Sequence, residues 1–226
     1  MKKYTTLYFD LDNTLLDFNK SEYRAIKELL KLYALPDDDD TAYLYSKINQ
    51  SYWEMFERGE IQKNEIFAGR FKTLLERLGT ERDAEKMAED YFGFLSAGHD
   101  VMDGAEDILK YVKASGYTVC ITTNGVSRTQ YRRIDESGLK GYFNYVFVSE
   151  DAGHQKPERE YFEYAAAHSP EKDMSRVLVI GDSQSSDILG GINSGIDTCW
   201  FNPLKAVGRY KPTYEIGTLD ELKNIL

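Results

Sequence analysis

From about residue 100 onward, short apolar runs alternate with amphipathic stretches. TVCITTNG (118–125), YVFVSED (145–151), VLVIGDS (177–183) and TCWF (198–201) are rich in β-branched and aromatic residues. Each ends in, or is followed by, Gly, Asn, Asp, Ser or Pro, the pattern of a strand followed by a turn. Between them, AEDILKYVKASG places Ala105, Ile108, Leu109 and Val112 at helical spacing, with Gly116 as the stop. PEREYFEYAAAH and SDILGGINSG have the same character. Near-continuous apolar strands alternating with helices predict a parallel sheet covered on both faces. YTTLYFD (4–10) supplies its first strand.

Residues 18–97 break this pattern. No strand signal occurs there, and four helices are predicted near 19–34, 40–58, 63–78 and 82–96. Ile26, Leu29, Leu30 and Tyr33 recur at helical spacing, as do Ile66, Phe67, Arg70, Phe71, Leu74 and Leu75, with charges on the opposite faces. Asp37–Asp40 is expected to be a solvated loop between helices. The expected fold class is α/β, a Rossmann-like parallel-sheet core of residues 1–17 and 98–226 with an α-helical bundle inserted at 18–97.

Composition narrows the function. The chain has 226 residues, 42% of them apolar, enough for a core of this kind. A formal net charge of −10 argues against a nucleic-acid surface. It also means that an anionic ligand needs a local cation. No stretch approaches 18 apolar residues, so no membrane span is expected. The opening MKKYTTLYFDLDN lacks the apolar segment of a signal peptide. Cys120 and Cys199 lie in apolar runs and are expected to be buried free thiols. A cytoplasmic protein, monomeric or weakly self-associating, is the expectation.

In a doubly wound parallel sheet, ligands bind beyond the carboxyl ends of the strands. The first strand ends in Asp10-Leu11-Asp12-Asn13-Thr14 and the second in Thr122-Thr123-Asn124. The third leads to a loop with Lys156, and the fourth ends in Gly181-Asp182-Ser183, with Asp187 five residues after Asp182. Singly, these residues have ordinary roles: Asp12, Thr14 or Asp187 as helix caps, Lys156 as a surface lysine. Together they place carboxylates, hydroxyls and one lysine on one edge, a costly cluster unless a cation and an anion bind there. Asp10 is the expected nucleophile toward phosphorus. Mg²⁺ is expected on Asp10, the Leu11–Asp12 backbone region and Asp182, with Asp187 at or near it. Asp12 is placed to protonate the leaving alkoxide and deprotonate the attacking water. Thr123, Asn124 and Lys156 are expected to hold phosphate oxygens.

FDLDNTLLDF, ITTNG, KPEREYF and VIGDSQSSDILGGINSGIDTCWFN together resemble the four motifs of the haloacid dehalogenase-like (HAD) hydrolase superfamily. The resemblance spans nearly the whole chain. It implies a five-strand Rossmann-like core and makes residues 18–97 a helical cap. It also implies Asp10 as nucleophile, Asp12 as acid/base, Thr123 and Lys156 as phosphate binders, and Asp182 with Asp187 at the metal. Many relatives have Gly where this chain has Asn13. Asp12 decides the branch, because halide displacement needs no leaving-group proton whereas phosphoryl transfer to water does. GGINSGIDTCWFNP, SYWEMFERGEI and GRF are similar to YjjG-type nucleotidases, which implies a nucleotide substrate, a small phosphate ester. Asn19, Lys20, Trp53 and Arg70 are candidate substrate contacts in the cap. A sugar-phosphate phosphatase or phosphomutase is the rival within the class. A phospho-accepting signalling module is the rival outside it.

Overall fold

A computed structural model describes residues 2–226. The chain runs β1 (Thr6–Phe9), α1 (Phe18–Leu32), α2 (Asp39–Glu57), α3 (Lys63–Leu78), α4 (Ala84–Ser96), α5 (Ala105–Ala114), β2 (Thr118–Thr123) and α6 (Ser127–Glu136). It continues β3 (Tyr145–Val148), α7 (Ser149–Ala152), α8 (Arg159–Ala167), β4 (Val177–Gly181), α9 (Leu189–Ser194), β5 (Asp197–Phe201) and β6 (Tyr214–Ile216). Two compact units result: the chain up to Asp17 with Asp100–Leu226, and Phe18–His99.

The first unit is a parallel α/β sheet of order β3-β2-β1-β4-β5-β6. Every residue of β1 and β4 is buried, which explains why these strands are apolar throughout. Alternation sorts their side chains into two layers. Leu7, Phe9, Val119, Ile121, Leu178 and Ile180 join Ile108, Leu109 and Val112 of α5. Tyr8, Cys120, Val177 and Val179 join Tyr161, Phe162 and Ala165 of α8. Cys120 and Cys199 are buried free thiols. Phe9 aligns with Ile121 and Ile180 on its two neighbours, so β1, β2 and β4 end side by side. The chain direction across the sheet reverses at β1, and there the strand ends form the ligand-binding edge of a doubly wound fold.

Three details differ from the sequence reading. Among the described residues six strands are present rather than five: Tyr214–Ile216 adds an edge strand beside β5, too short to register as an apolar run. Ser149–Asp151 does not extend β3 but turns into α7, which Gly153 closes at φ 73°. Asp39 and Asp40 are not loop residues. Asp38 caps α2 by accepting from Thr41 N at 2.7 Å, and the two acids occupy its first turn, where the helix dipole favours them.

In the second unit, α1 to α4 share one core. It contains Ala25, Ile26, Leu29, Leu30, Tyr45, Phe71, Leu74, Leu75, Met87, Tyr91 and Leu95. The division falls after His99 rather than after residue 97, because Gly98 N still bonds Leu95 O at 3.0 Å. The sheet-bearing unit resumes where Asp17 N meets Asp100 O at 2.8 Å. No helix among the described residues is long and apolar enough to cross a membrane.

Candidate active site

The Asp10 backbone is fixed by the sheet: its N–H donates to Ile180 O at 2.8 Å, directly past the β1–β4 ladder. The chain then turns through Asn13, which adopts φ 56°. Asparagine tolerates this left-handed conformation better than most residues, so the turn forms without glycine. Lys156 is 1% exposed, not a surface lysine. Its Nζ donates to Asp10 Oδ1 at 2.7 Å, Asp187 Oδ1 at 2.7 Å and Thr122 O at 2.8 Å, so all three ammonium protons have acceptors.

Asp187 is fully buried, and its other oxygen accepts from Ser183 N at 3.1 Å. A Cβ on Gly181 would overlap the Asp187 carboxylate, so glycine at the end of β4 is what lets this acid reach the edge. Trp200 Nε1 donates to Asp182 O at 2.8 Å, anchoring the loop that carries Asp182.

Asp10, Asp182 and Asp187 bring carboxylate oxygens within 4.8 Å of one another. Burial lifts the Asp10 carboxyl to about 7, against the opposing charge of Lys156 and with help from Asp187 and Asp12. Burial pushes Asp182 well above the carboxylate range, reinforced by the charges of Asp10 and Asp187. Burial also works against the charge of Lys156, but Asp10 and Asp187 offset it and hold the ammonium high. One lysine thus faces three acids. This excess of hard oxygen donors at a partly open edge fits a divalent cation such as Mg²⁺. The Asp12 carboxylate is outside this cluster.

Asp12 belongs to a second group that sequence reading missed. Gln130 Nε2 donates to Asp12 Oδ2 at 2.7 Å and to Thr123 Oγ1 at 2.8 Å, and Arg133 Nη1 donates to Asp12 Oδ1. In SRTQYRRIDE these two look like members of a solvated polar helix. The available signal was that Ile134 alone is apolar on the face a covering helix must bury. Thr123 is buried at the end of β2. Asn124 has a structural task besides: its carboxamide donates to Lys156 O at 2.8 Å and accepts from Lys156 N at 2.9 Å, so the side chain clamps the Lys156 loop and has one N–H beyond that clamp.

The model of the haloacid dehalogenase-like hydrolase family matches residues 7–201. The chain belongs to this family. It is 43% identical to the HAD-hydrolase YfnB of Bacillus subtilis, over 100% of this chain and 97% of that protein. A crystal structure of YfnB bound to magnesium matches with a TM-score of 0.93, 42% identity and 99% coverage of each chain. The pyrimidine 5'-nucleotidase PynA of Streptococcus pneumoniae is 36% identical, covering 99% of this chain and 97% of that one. The pyrimidine 5'-nucleotidase YjjG of Escherichia coli is 31% identical, covering 99% and 98%.

The remaining candidates of this HAD hydrolase lie in the helical unit. Asn19 and Lys20 are exposed in the first turn of α1, and Trp53 is half-buried with its ring edge on Phe56 at 5.8 Å. Arg70 is 2% exposed inside the bundle core. Its Nη1 donates to Asn49 Oδ1 at 2.7 Å, and Asn49 Nδ2 donates to Glu22 Oε1 at 2.6 Å. Its guanidinium lies 4.7 Å from the Tyr91 ring centre and 5.2 Å from that of Phe71. Burial raises the Glu22 carboxyl, opposed by Ser46, Asn49 and the charge of Arg70. Arg70 Nη1 therefore has its partner within the unit, whereas Nε and Nη2 are buried without a hydrogen bond. Arg70→Met should lower stability by about 3 kcal/mol in urea unfolding, because it leaves a buried acid uncompensated. A loss under about 1 kcal/mol would show that the network is not structural.

Proposed function

We propose that this HAD-type phosphatase is a Mg²⁺-dependent nucleoside 5'-monophosphatase with a pyrimidine preference, working through phosphorylated Asp10. The observation that carries the reading is the buried Asp10 beside Lys156, Asp182 and Asp187, with Asp12 two residues along. Asp10 and Asp182 would hold the metal. Asp187, with both oxygens already accepting from Lys156 and Ser183, would orient the lysine. Bound Mg²⁺ supplies charge neutralisation at the phosphate oxygens.

The chain's own groups do the rest. An Asp10 oxygen attacks phosphorus while the ester P–O bond breaks, and Asp12 gives its proton to the departing alkoxide. Asp12, now a carboxylate, takes a proton from the water that attacks phospho-Asp10, which restores the aspartate and releases inorganic phosphate. Lys156 contributes a fixed positive charge, and Thr123 presents its hydroxyl at the end of β2. The substrate reading draws support from PynA and YjjG, related over nearly the full chain.

A panel of phosphate esters tests it. UMP and dUMP should be hydrolysed at kcat/KM values about tenfold or more above those for hexose phosphates. EDTA should remove the activity and added Mg²⁺ return it. Faster release from hexose phosphates would replace the nucleotidase reading with the sugar-phosphate one.

A further inference from the structure

α6 begins four residues beyond Thr123, and residues 130 and 133, three apart, lie on its buried face. Gln130 is 1% exposed and Arg133 not at all, whereas the Asp12 side chain retains 27% exposure. The three form a closed ring. Arg133 Nη1 donates to Asp12 Oδ1 and, at 3.0 Å, to Gln130 Oε1, while Gln130 Nε2 donates to Asp12 Oδ2 at 2.7 Å. Gln130 Nε2 also reaches Thr123 Oγ1 at 2.8 Å. Each carboxylate oxygen of Asp12 thus has its own donor, and the Gln130 carboxamide is held at both ends. Gly125 accommodates this arrangement, since a Cβ there would run into the Gln130 side chain.

A guanidinium withdrawn from water beside one carboxylate is a costly way to build a helix–sheet contact that an apolar side chain would make more cheaply. What the ring adds is a defined orientation. It removes rotation about the Asp12 carboxyl and ties that carboxyl to the hydroxyl at the end of β2. We propose that Gln130 and Arg133 are positioning residues for Asp12, setting its carboxyl where a proton passes to the leaving oxygen. This rests on the assignment of Asp12 as acid/base above. Their contribution falls on leaving-group protonation and water activation, with Gln130 also steadying the Thr123 hydroxyl.

The test compares a nucleoside monophosphate, whose alkoxide needs a proton, with p-nitrophenyl phosphate, whose leaving group does not. Gln130→Leu should lower kcat on the nucleotide by about 10- to 100-fold, the scale of impaired acid–base help, with KM nearly unchanged. The loss on the aryl ester, read in the burst of nitrophenolate that reports transfer to Asp10 rather than the later water attack, should be several-fold smaller. Arg133→Lys, which keeps the charge, should retain more nucleotide activity than Arg133→Met. In an Asp12→Asn background, Gln130→Leu should leave the nucleotide-to-aryl ratio where it already is. Circular dichroism melting establishes that each variant is folded, and Gln130→Leu serves if Arg133→Met is not. Equal losses in the transfer step on both esters, or a further change of ratio without Asp12, would overturn the positioning role alone. A wild-type enzyme that hydrolyses neither ester with Mg²⁺ would overturn the acid/base reading with it.

Discussion

Asp10→Asn should reduce phosphate release by at least about 10³-fold on every ester, because it removes the proposed nucleophile rather than tuning it. The substitution is nearly isosteric. The backbone N–H of residue 10 keeps its 2.8 Å bond to Ile180 O, and an amide oxygen can still accept from Lys156. The variant should therefore fold as the wild type does. A well-leaving aryl phosphate should not rescue it, which separates this loss from that of Asp12→Asn. Asp12→Asn should still transfer phosphate from activated donors to Asp10, a step that needs no leaving-group proton, while the later attack of water, which Asp12 assists, is slowed. Asp10→Ala guards against slow deamidation of the asparagine. Steady-state phosphate release measures Asp10→Asn and the burst of nitrophenolate measures Asp12→Asn, and a folded Asp10→Asn protein with wild-type turnover would end the nucleophile assignment.

The location of this residue was legible in the chain because parallel sheets impose a strong rule. Strands apolar on both faces must be covered by helices, their carboxyl ends must share an edge, and whatever follows each strand must meet there. Asp10, Thr123 and Asp182 follow three adjacent strands, β1, β2 and β4, and that placement needs only their order in the chain. Lys156 comes from a loop and Asp187 from the helical turn Gln184–Ile188, where the strand rule is weaker. The structure nevertheless brings both within 2.7 Å of each other, with Asp10 bonded to the same ammonium.

What sequence could not show is which polar side chains are used up locally. Asn124 follows a strand end and carries an amide of the kind that holds phosphate, yet its partner is the Lys156 backbone 32 residues away. Arg133 and Gln130 sit among exposed Arg128 and Arg132 in a helix of very polar composition. Only the fold separates the buried pair from its solvated neighbours. Arg70 is a partial exception. An arginine within an apolar stripe demands a partner, but nothing local identifies that partner as Asn49 and Glu22, on two other helices. Tyr214–Ile216 shows the remaining limit, since a three-residue edge strand is specified by its neighbour β5 more than by its own residues.

Lys156→Ala should unsettle the fold as well as the activity. Among the described residues the ammonium is the one cation bonded to Asp10 and Asp187, and with it gone three carboxylates crowd a mostly buried edge. Removing one partner from a buried charge cluster costs about 3–5 kcal/mol, so the urea midpoint should fall sharply in metal-free buffer. The same vacancy of positive charge should make the variant more responsive to a divalent ion. Mg²⁺ at about 100 times its dissociation constant would return about 2.7 kcal/mol by mass action. The return should vanish when Asp182→Asn is added, because one of the two proposed metal-holding carboxylates is then neutral. Stability recovered by Mg²⁺ without activity would separate charge balance at this lysine from its proposed phosphate contact. An unchanged midpoint in metal-free buffer would mean that the acids are satisfied by other groups. A midpoint insensitive to Mg²⁺ would mean that Asp10 and Asp182 do not form a cation seat.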